Sequence, residues 1–416
     1  MKSSGNSKYL KKLNRMTIIN IIRDNELISR QQIAELTGLT PAAITGIIRE
    51  LIMLGFVTEV GLGESQGGRR PVKLKFNCGA GYVIGMEVTR QEIAIAVADL
   101  KNYPTGINRK SVDMSHPELA IQQLVAMAKE IISSDEYQEK KLFGIAIAFP
   151  GLLQVKEGII KRSVNLGGAW NGFPLRTVLE NELGLPVFIE NNPKVATMGE
   201  KWFGGGMDSK NLIYLNMGEG ISAGIMLDDT IIQGAQGFAG QIGHTIMIEQ
   251  GPLCNCGNRG CLEAICGIPA LLRKAIEELP FIDSQDALRK QYEATSQLHI
   301  NDIIKIALLE ESYAREILRQ AAQYVALATA NLINVFNPDE VFIGGKLAAA
   351  GEIFIVEFRQ IISSHVFPEI GEATTIRISK LGGDSGVVGA CALALKKLLK
   401  ASDSNMFEDS SDNSNE

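Results

Sequence analysis

The chain is poorest in the features that would place it in a membrane or outside the cell. No stretch has the roughly 18 consecutive apolar residues that mark a bilayer span; the run 142–153 is too short and is interrupted by Pro150 and glycines. The N-terminus holds lysines but no uninterrupted apolar core and no cleavage site, so no secretory signal is evident and a cytoplasmic protein is expected. Histidines number four and cysteines six. In that setting clustered cysteines read as metal-binding before disulfide-bonded. What remains is an ordinary globular balance, 45% hydrophobic and 21% charged, over 416 residues, enough for two or three domains. The net charge of -6 is unevenly spread. Residues 1–75 carry twelve basic and six acidic side chains, and the rest carries 29 and 41. A basic head on an acidic body suits a nucleic-acid-binding domain joined to a sensor or an enzyme.

The richest stretch is 243–263, GHTIMIEQGPLCNCGNRGCLE. His244, Cys254, Cys256 and Cys261 form an H-x9-C-x-C-x4-C pattern, a closed set of the ligands tetrahedral zinc prefers. Gly257 and Gly260 allow the tight turns that let these side chains converge. Four protein ligands imply a structural zinc ion, not one that activates water. The competing reading is a run of small buried thiols. Cys78, Cys266 and Cys391 stand apart and are expected to be plain core or near-surface thiols.

At the N-terminus, Leu13, Met16, Ile19 and Ile22 predict a helix over about 10–24. Ser29 can cap a second helix with Ile33, Ala34 and Leu36 inward. After a turn at Gly38 and Leu39, Thr40 caps a third helix with Pro41 in its first turn and an apolar stripe of Ile44, Ile47, Ile48 and Leu51. This is the order of a helix-turn-helix. Its outward face offers Ala42, Ala43, Thr45, Gly46 and Arg49, small groups that permit close approach to base edges and one cation for a guanine or a phosphate. Gln31, Thr40 and Pro41 complete that candidate DNA surface. Two alternating segments then flank a Gly-rich tip bearing Arg69 and Arg70, a β-hairpin wing aimed at a minor groove or at phosphates. The alternatives are a small dimerisation module and a flexible linker.

From residue 82 the pattern changes to two successive sets of strands with intervening helices, one of them long and apolar-faced near 311–336. Two βββαβα-like halves are the plan of the actin-like ATPase fold, with a ligand cleft between lobes. The motif GFAGQIGHT followed by CNCGNRGCLE closely resembles that of the ROK family, which groups sugar kinases with sugar-responsive transcriptional repressors; GGRRPV also looks like the wing of its repressors. The resemblance implies the same actin-like body. It also implies sugar ligands at Asn191, Asn192, Gln241, His244 and Glu263, with Gly167 and Gly168 as points of close approach. His244 would then serve both metal and sugar. Trp170 is placed either to stack on a sugar or to fill core.

The family's kinases use a D-x-G-G-T-like phosphate turn, which here falls on Glu87-Val88-Thr89-Arg90-Gln91, without glycines. A second turn carries Glu219, a carboxylate where phosphates would sit, while Gly344-Gly345 persist. The kinase motif E-N-D-A matches Glu190-Asn191-Asn192-Pro193, so the general-base aspartate falls on an amide, which cannot accept a proton at neutral pH. Asn192 before Pro193 is also expected to serve as a helix N-cap.

The sequence therefore predicts three parts: a winged helix-turn-helix over 1–77, a two-lobed sugar-binding body over 78–400 with its cleft near 190–263, and a disordered acidic tail over 401–416. The expected function is a non-enzymatic, zinc-containing repressor of carbohydrate-utilisation genes. It would bind operator DNA and a sugar effector as a homodimer or dimer of dimers. The alternatives are an ATP-dependent sugar kinase with an added DNA-binding head, and a regulator that acts through protein contacts alone.

Overall fold

In the structure, a computed structural model, residues 4–62, 70–163 and 166–400 are described. The expectations for Arg69 and for the acidic tail fall outside them.

Short-range signals set the head. Helices α1 (Ser4–Asp24), α2 (Arg30–Thr37) and α3 (Pro41–Met53) are joined by strand β1 (Ile28–Ser29) and followed by β2 (Val57–Leu62) and β3 (Val72–Phe76). Ser29 and Gln32 form a capping box at the start of α2, and Gly38, at φ 68°, ends that helix in the left-handed region. Thr40 caps α3 by accepting from Ala43 N at 3.3 Å. Helices α2 and α3 are bent 118° apart, within the usual range for a helix-turn-helix. The stripe Ile44, Ile47, Ile48 and Leu51 is buried as expected. Leu36 is not: it is 64% exposed, so Ile33 alone anchors α2 fully and Ala34 is half-buried. One turn of apolar residues is too short to define a face without knowing which neighbour covers it. Strand β3 pairs antiparallel with both β1 and β2, which gives the wing its base.

The body repeats one plan twice. Strands β4 (Tyr82–Val88), β5 (Glu92–Asp99), β6 (Thr105–Ser111), β7 (Leu142–Phe149) and β10 (Val187–Asn191) form a sheet in the order β10-β7-β4-β5-β6. A hairpin of β8 (Leu152–Gln154) and β9 (Ile159–Arg162) sits beside it. Strands β11 (Leu212–Met217), β12 (Ile221–Leu227), β13 (Thr230–Ile231), β14 (Glu340–Gly344) and β15 (Thr375–Ile378) form a second sheet in the order β13-β12-β11-β14-β15. In each, a three-strand antiparallel meander continues into two parallel strands. Parallel pairing requires crossover helices, which bury both faces and explain near-continuous apolar runs such as β7.

Helices α4 (Pro117–Ile132) and α5 (Leu175–Leu183) cover the outer face of the first sheet. The second sheet is covered outside by α7 (Leu262–Cys266), α8 (Ile268–Glu278), α9 (Ala287–Thr295), α10 (Ile300–Leu309), α11 (Tyr313–Phe336), α12 (Glu352–His365) and α13 (Pro368–Ala373). Between the sheets run α6 (Asn192–Phe203), packed on β11 and β12, and α14 (Ser385–Leu398), packed on β4, β5 and β7. The head's core is continuous with this inner layer. Among the described residues no single helix is long and apolar enough to cross a membrane.

Candidate functional site

A cavity of about 900 Å³ opens between the two lobes. It draws on more of the chain than the 190–263 region: Glu87, Thr89–Glu92, Arg109, Gly344–Lys346, Ile378, Ser379 and Gly382–Gly386 also line it. The sequence missed Arg109 and Asp384 because each belongs to no local motif; only the fold brings them there.

The cavity wall contains Asn191, Asn192, Gln241, His244 and Glu263. Asn191 ends β10, and its Nδ2 donates to Gly151 O at 2.7 Å. Asn192 is not the N-cap of α6; Asn191 holds that position, without a side-chain cap. The Asn192 amide instead donates to Val88 O at 3.0 Å, and its Oδ1 is shielded from solvent without a partner. The backbone turns into the helix one residue earlier than the Asn-Pro dipeptide suggests, so this side chain is released from capping and faces the end of β4. Glu263 accepts from Ile221 N at 3.0 Å, and burial pushes its carboxyl above the usual carboxylate range. Gly168 is exposed but is not among the residues lining the cavity. Trp170 is fully buried: its Nε1 donates to Met114 O at 2.6 Å and its ring packs on Phe149 and Phe173. It fills core and cannot stack on a ligand in the cleft.

The end of the cavity that holds residues 87–92, the segment matched to the kinases' phosphate turn, is lined by the chain's own charges. The Glu87 carboxyl packs against Gly386 so closely that a Cβ there would meet it at 2.1 Å. Arg109 bonds Asp384, Gly383 O and Glu92. Arg90 faces Glu219 at 3.9 Å across the lobes, and Lys346 Nζ reaches Gln91 Oε1 at 3.5 Å. The carboxylates of Glu92, Glu219 and Asp384 disfavour a polyphosphate here, and Arg90 and Arg109 are already paired with them.

Glu87 is half-buried by surface, yet its carboxyl is enclosed by protein, and burial first of all pushes it up to about 7. A raised carboxyl means the folded state holds a proton that the unfolded chain releases. Its contribution to stability is therefore full below about 4.5 and is lost as pH rises through about 7. Glu87→Gln should remove that dependence. Between pH 4.5 and 8 the parent chain should lose on the order of 2 kcal/mol more than the variant, allowing for solvent that reaches the cavity. Urea midpoints across pH measure the difference; parallel curves would reject the assignment.

Beside the cavity, His244, Cys254, Cys256 and Cys261 each offer one ligand atom, all within 4.8 Å of one another. Cys256 Sγ and Cys261 Sγ stand 3.7 Å apart, as do Cys254 Sγ and His244 Nδ1. Tetrahedral bonds of about 2.3 Å to zinc place sulfurs about 3.8 Å apart, so the donor set fits such an ion. The loop achieves this through turns: Gly257 and Gly260 have φ of 103° and 71°, and a Cβ on Gly260 would meet Ile248 O at 1.5 Å. Burial, then the neighbouring thiols, push Cys261 up to about 12. A divalent cation bound here would let three thiolates share this space. With Nδ1 facing the thiols, the other edge of His244 remains for the cavity.

On the head, Thr40, Pro41, Ala42, Ala43, Thr45, Gly46 and Arg49 are all exposed along α3, and Gly46 has open space beyond its Cα. Gln31 is exposed on α2 and bonds Glu35. Arg70 is exposed at the foot of the wing.

Fold and site together define a winged helix-turn-helix joined to a two-lobed body of the sugar-kinase type. Residues 83–397 match the model of the ROK family and residues 12–58 that of a winged helix-turn-helix DNA-binding domain. The chain belongs to the ROK family. It is 32% identical to the xylose repressor of Caldicellulosiruptor bescii, over 95% of this chain and 98% of that one. It is 34% identical to the glucokinase of Halalkalibacterium halodurans, but over 62% of this chain and 78% of the enzyme. The crystal structure of a ROK family transcriptional regulator, a homologue of the Escherichia coli MLC protein, superposes with a TM-score of 0.83 at 26% identity, covering 94% of this chain and 98% of that one.

Proposed function

We propose that the protein is a sugar-responsive, DNA-binding transcriptional repressor whose kinase-type cleft binds sugar without phosphorylating it. The observation that carries this is Asn192: an amide, held by Val88, stands where phosphoryl transfer needs a carboxylate base. The ion pairs at the end matched to the kinases' phosphate turn support it as well. Asn191, Asn192, Gln241, His244 and Glu263 supply the fixed donors and acceptors a polyol requires. Structural zinc, held by His244, Cys254, Cys256 and Cys261, would keep the loop that presents His244 and Glu263 in place. Operator DNA is bound through α3 and the wing, including Arg69 and Arg70, by a homodimer on a pseudo-palindromic site. Repressor-named relatives covering nearly the whole chain favour this reading over a kinase.

A gel shift on the DNA upstream of the protein's own gene tests it, run across salt and with sugars added. Arg49→Ala should weaken operator binding by about 1–3 kcal/mol. Unchanged affinity would remove α3 from the interface. A coupled ADP-release assay with D-glucose and D-xylose should show no turnover; measurable transfer from ATP would make the protein a kinase.

A further inference from the structure

Helices α6 and α14 share an unusual placement. Both begin at the cavity, and both end at the DNA-binding head. Asn192, Pro193 and Ala196 line the cavity at the start of α6, and Ser385 and Gly386 do so at the start of α14. At the far end of α6, Trp202 lies beneath the Arg23 guanidinium of α1, 5.3 Å from its ring centroid. Just past the end of α14, Leu399 O accepts from Asn20 Nδ2 of α1 at 3.4 Å. Asn20 and Arg23 are three residues apart and so share one face of α1. The α6 helix spans 12 residues, about 18 Å at 1.5 Å per residue, so the cavity and the head are joined by one rigid element.

The two helices are also locked to each other. A Cβ on Gly389 would lie 2.0 Å from Val195 O, and one on Gly199 would lie 3.0 Å from Ser385 O. Backbones this close leave no room for side chains to deform between them, so the pair shifts as a unit. Arg23 meets a second anchor as well: its carbonyl accepts from Lys101 Nζ, on the turn between β5 and β6, at 2.6 Å. The Arg23 guanidinium, paired on α1 with Asp24 at 2.9 Å, thus faces α6 while the residue's backbone is tied to the first lobe. A tilt of the helix pair against that lobe acts on α1 at this residue.

We propose that the α6–α14 pair reports occupancy of the cavity to the DNA-binding head, and that Trp202 and Arg23 are the positioning residues through which the report passes. This rests on the sugar-responsive repressor reading. A ligand shifts such an equilibrium only through contacts that differ between states, and both helix starts sit where those contacts form. Allosteric couplings typically change affinity 5–150-fold, so one contact at the junction is enough to matter.

The test uses the full-length protein, a duplex from its own upstream region, and D-xylose, D-glucose and N-acetylglucosamine as probes. In the parent chain at least one probe should change operator affinity by about 5–150-fold. Trp202→Ala should bind operator and probe as the parent does, yet respond to the probe by less than about twofold. Arg23→Met, which removes the cation from the other side of the contact, should do the same, and Trp202→Phe, which keeps an aromatic face, should restore most of the response. Full response in Trp202→Ala and Arg23→Met overturns the coupling role while leaving the repressor reading intact. A parent chain that binds the duplex but responds to no probe overturns the repressor reading and the coupling role with it.

Discussion

Cys256→Ser is expected to release the metal and unfasten the loop between His244 and Glu263. A serine hydroxyl is a poor, hard ligand for zinc, and the three remaining donors cannot close a tetrahedral site. Structural zinc supplies about 10–16 kcal/mol of folding free energy in isolated zinc-finger peptides. Here the loss should be local, because the buried cluster at the site holds just Cys254, Cys261 and Ala264 beside Cys256, apart from the larger cores. Removing a ligand should exceed the roughly 10–100-fold loss of metal affinity that follows removal of an outer partner. Metal analysis after chelator challenge should fall from about one equivalent to near zero, with secondary structure largely kept. Sugar response should fall as well, since His244 and Glu263 lose their support. Unchanged metal content together with normal operator binding and sugar response would refute the assignment.

Asn192→Leu should weaken sugar binding at least about 100-fold while leaving the fold in place. Leucine has nearly the same shape and removes the buried Oδ1 that has no partner, offsetting the lost bond to Val88. A sugar hydroxyl buried against leucine has no partner, which costs about 3 kcal/mol, or at least about 100-fold in affinity. A sugar at about 100 times its dissociation constant stabilises the parent by about 2.7 kcal/mol; at that concentration the variant should gain about 0.4 kcal/mol or less. Thermal unfolding with and without sugar reads this directly. An undiminished shift would take Asn192 out of the site.

The head and the metal loop were legible in the sequence for the same reason. Each is built from interactions between residues close along the chain: Ser29 with Gln32, Thr40 with Ala43, four candidate metal ligands within 18 residues. The repeated strand plan was also legible, since buried strands and crossover helices leave their periods in the apolar residues. The errors lie where short-range rules left a choice. Leu36 matched a helical period but found no covering neighbour, and Asn192 had a capping sequence but the helix began one residue sooner.

The amino-acid order alone thus determined that there is a DNA-binding head, a loop whose His and Cys side chains could hold a metal ion, and a two-lobed body, and that the residue matched to the kinases' base is an amide. Tertiary structure decided everything that depends on residues far apart in sequence. It put Trp170 under Met114 O instead of in the cleft, set Arg109 against Asp384, and brought the starts of two helices, 193 residues apart, to one cavity and their ends to one face of α1. The physical reason is that local hydrogen bonds and side-chain periods are fixed by the nearest few residues. Long-range contacts follow from the simultaneous packing of both sheets and all their helices, which no single segment encodes.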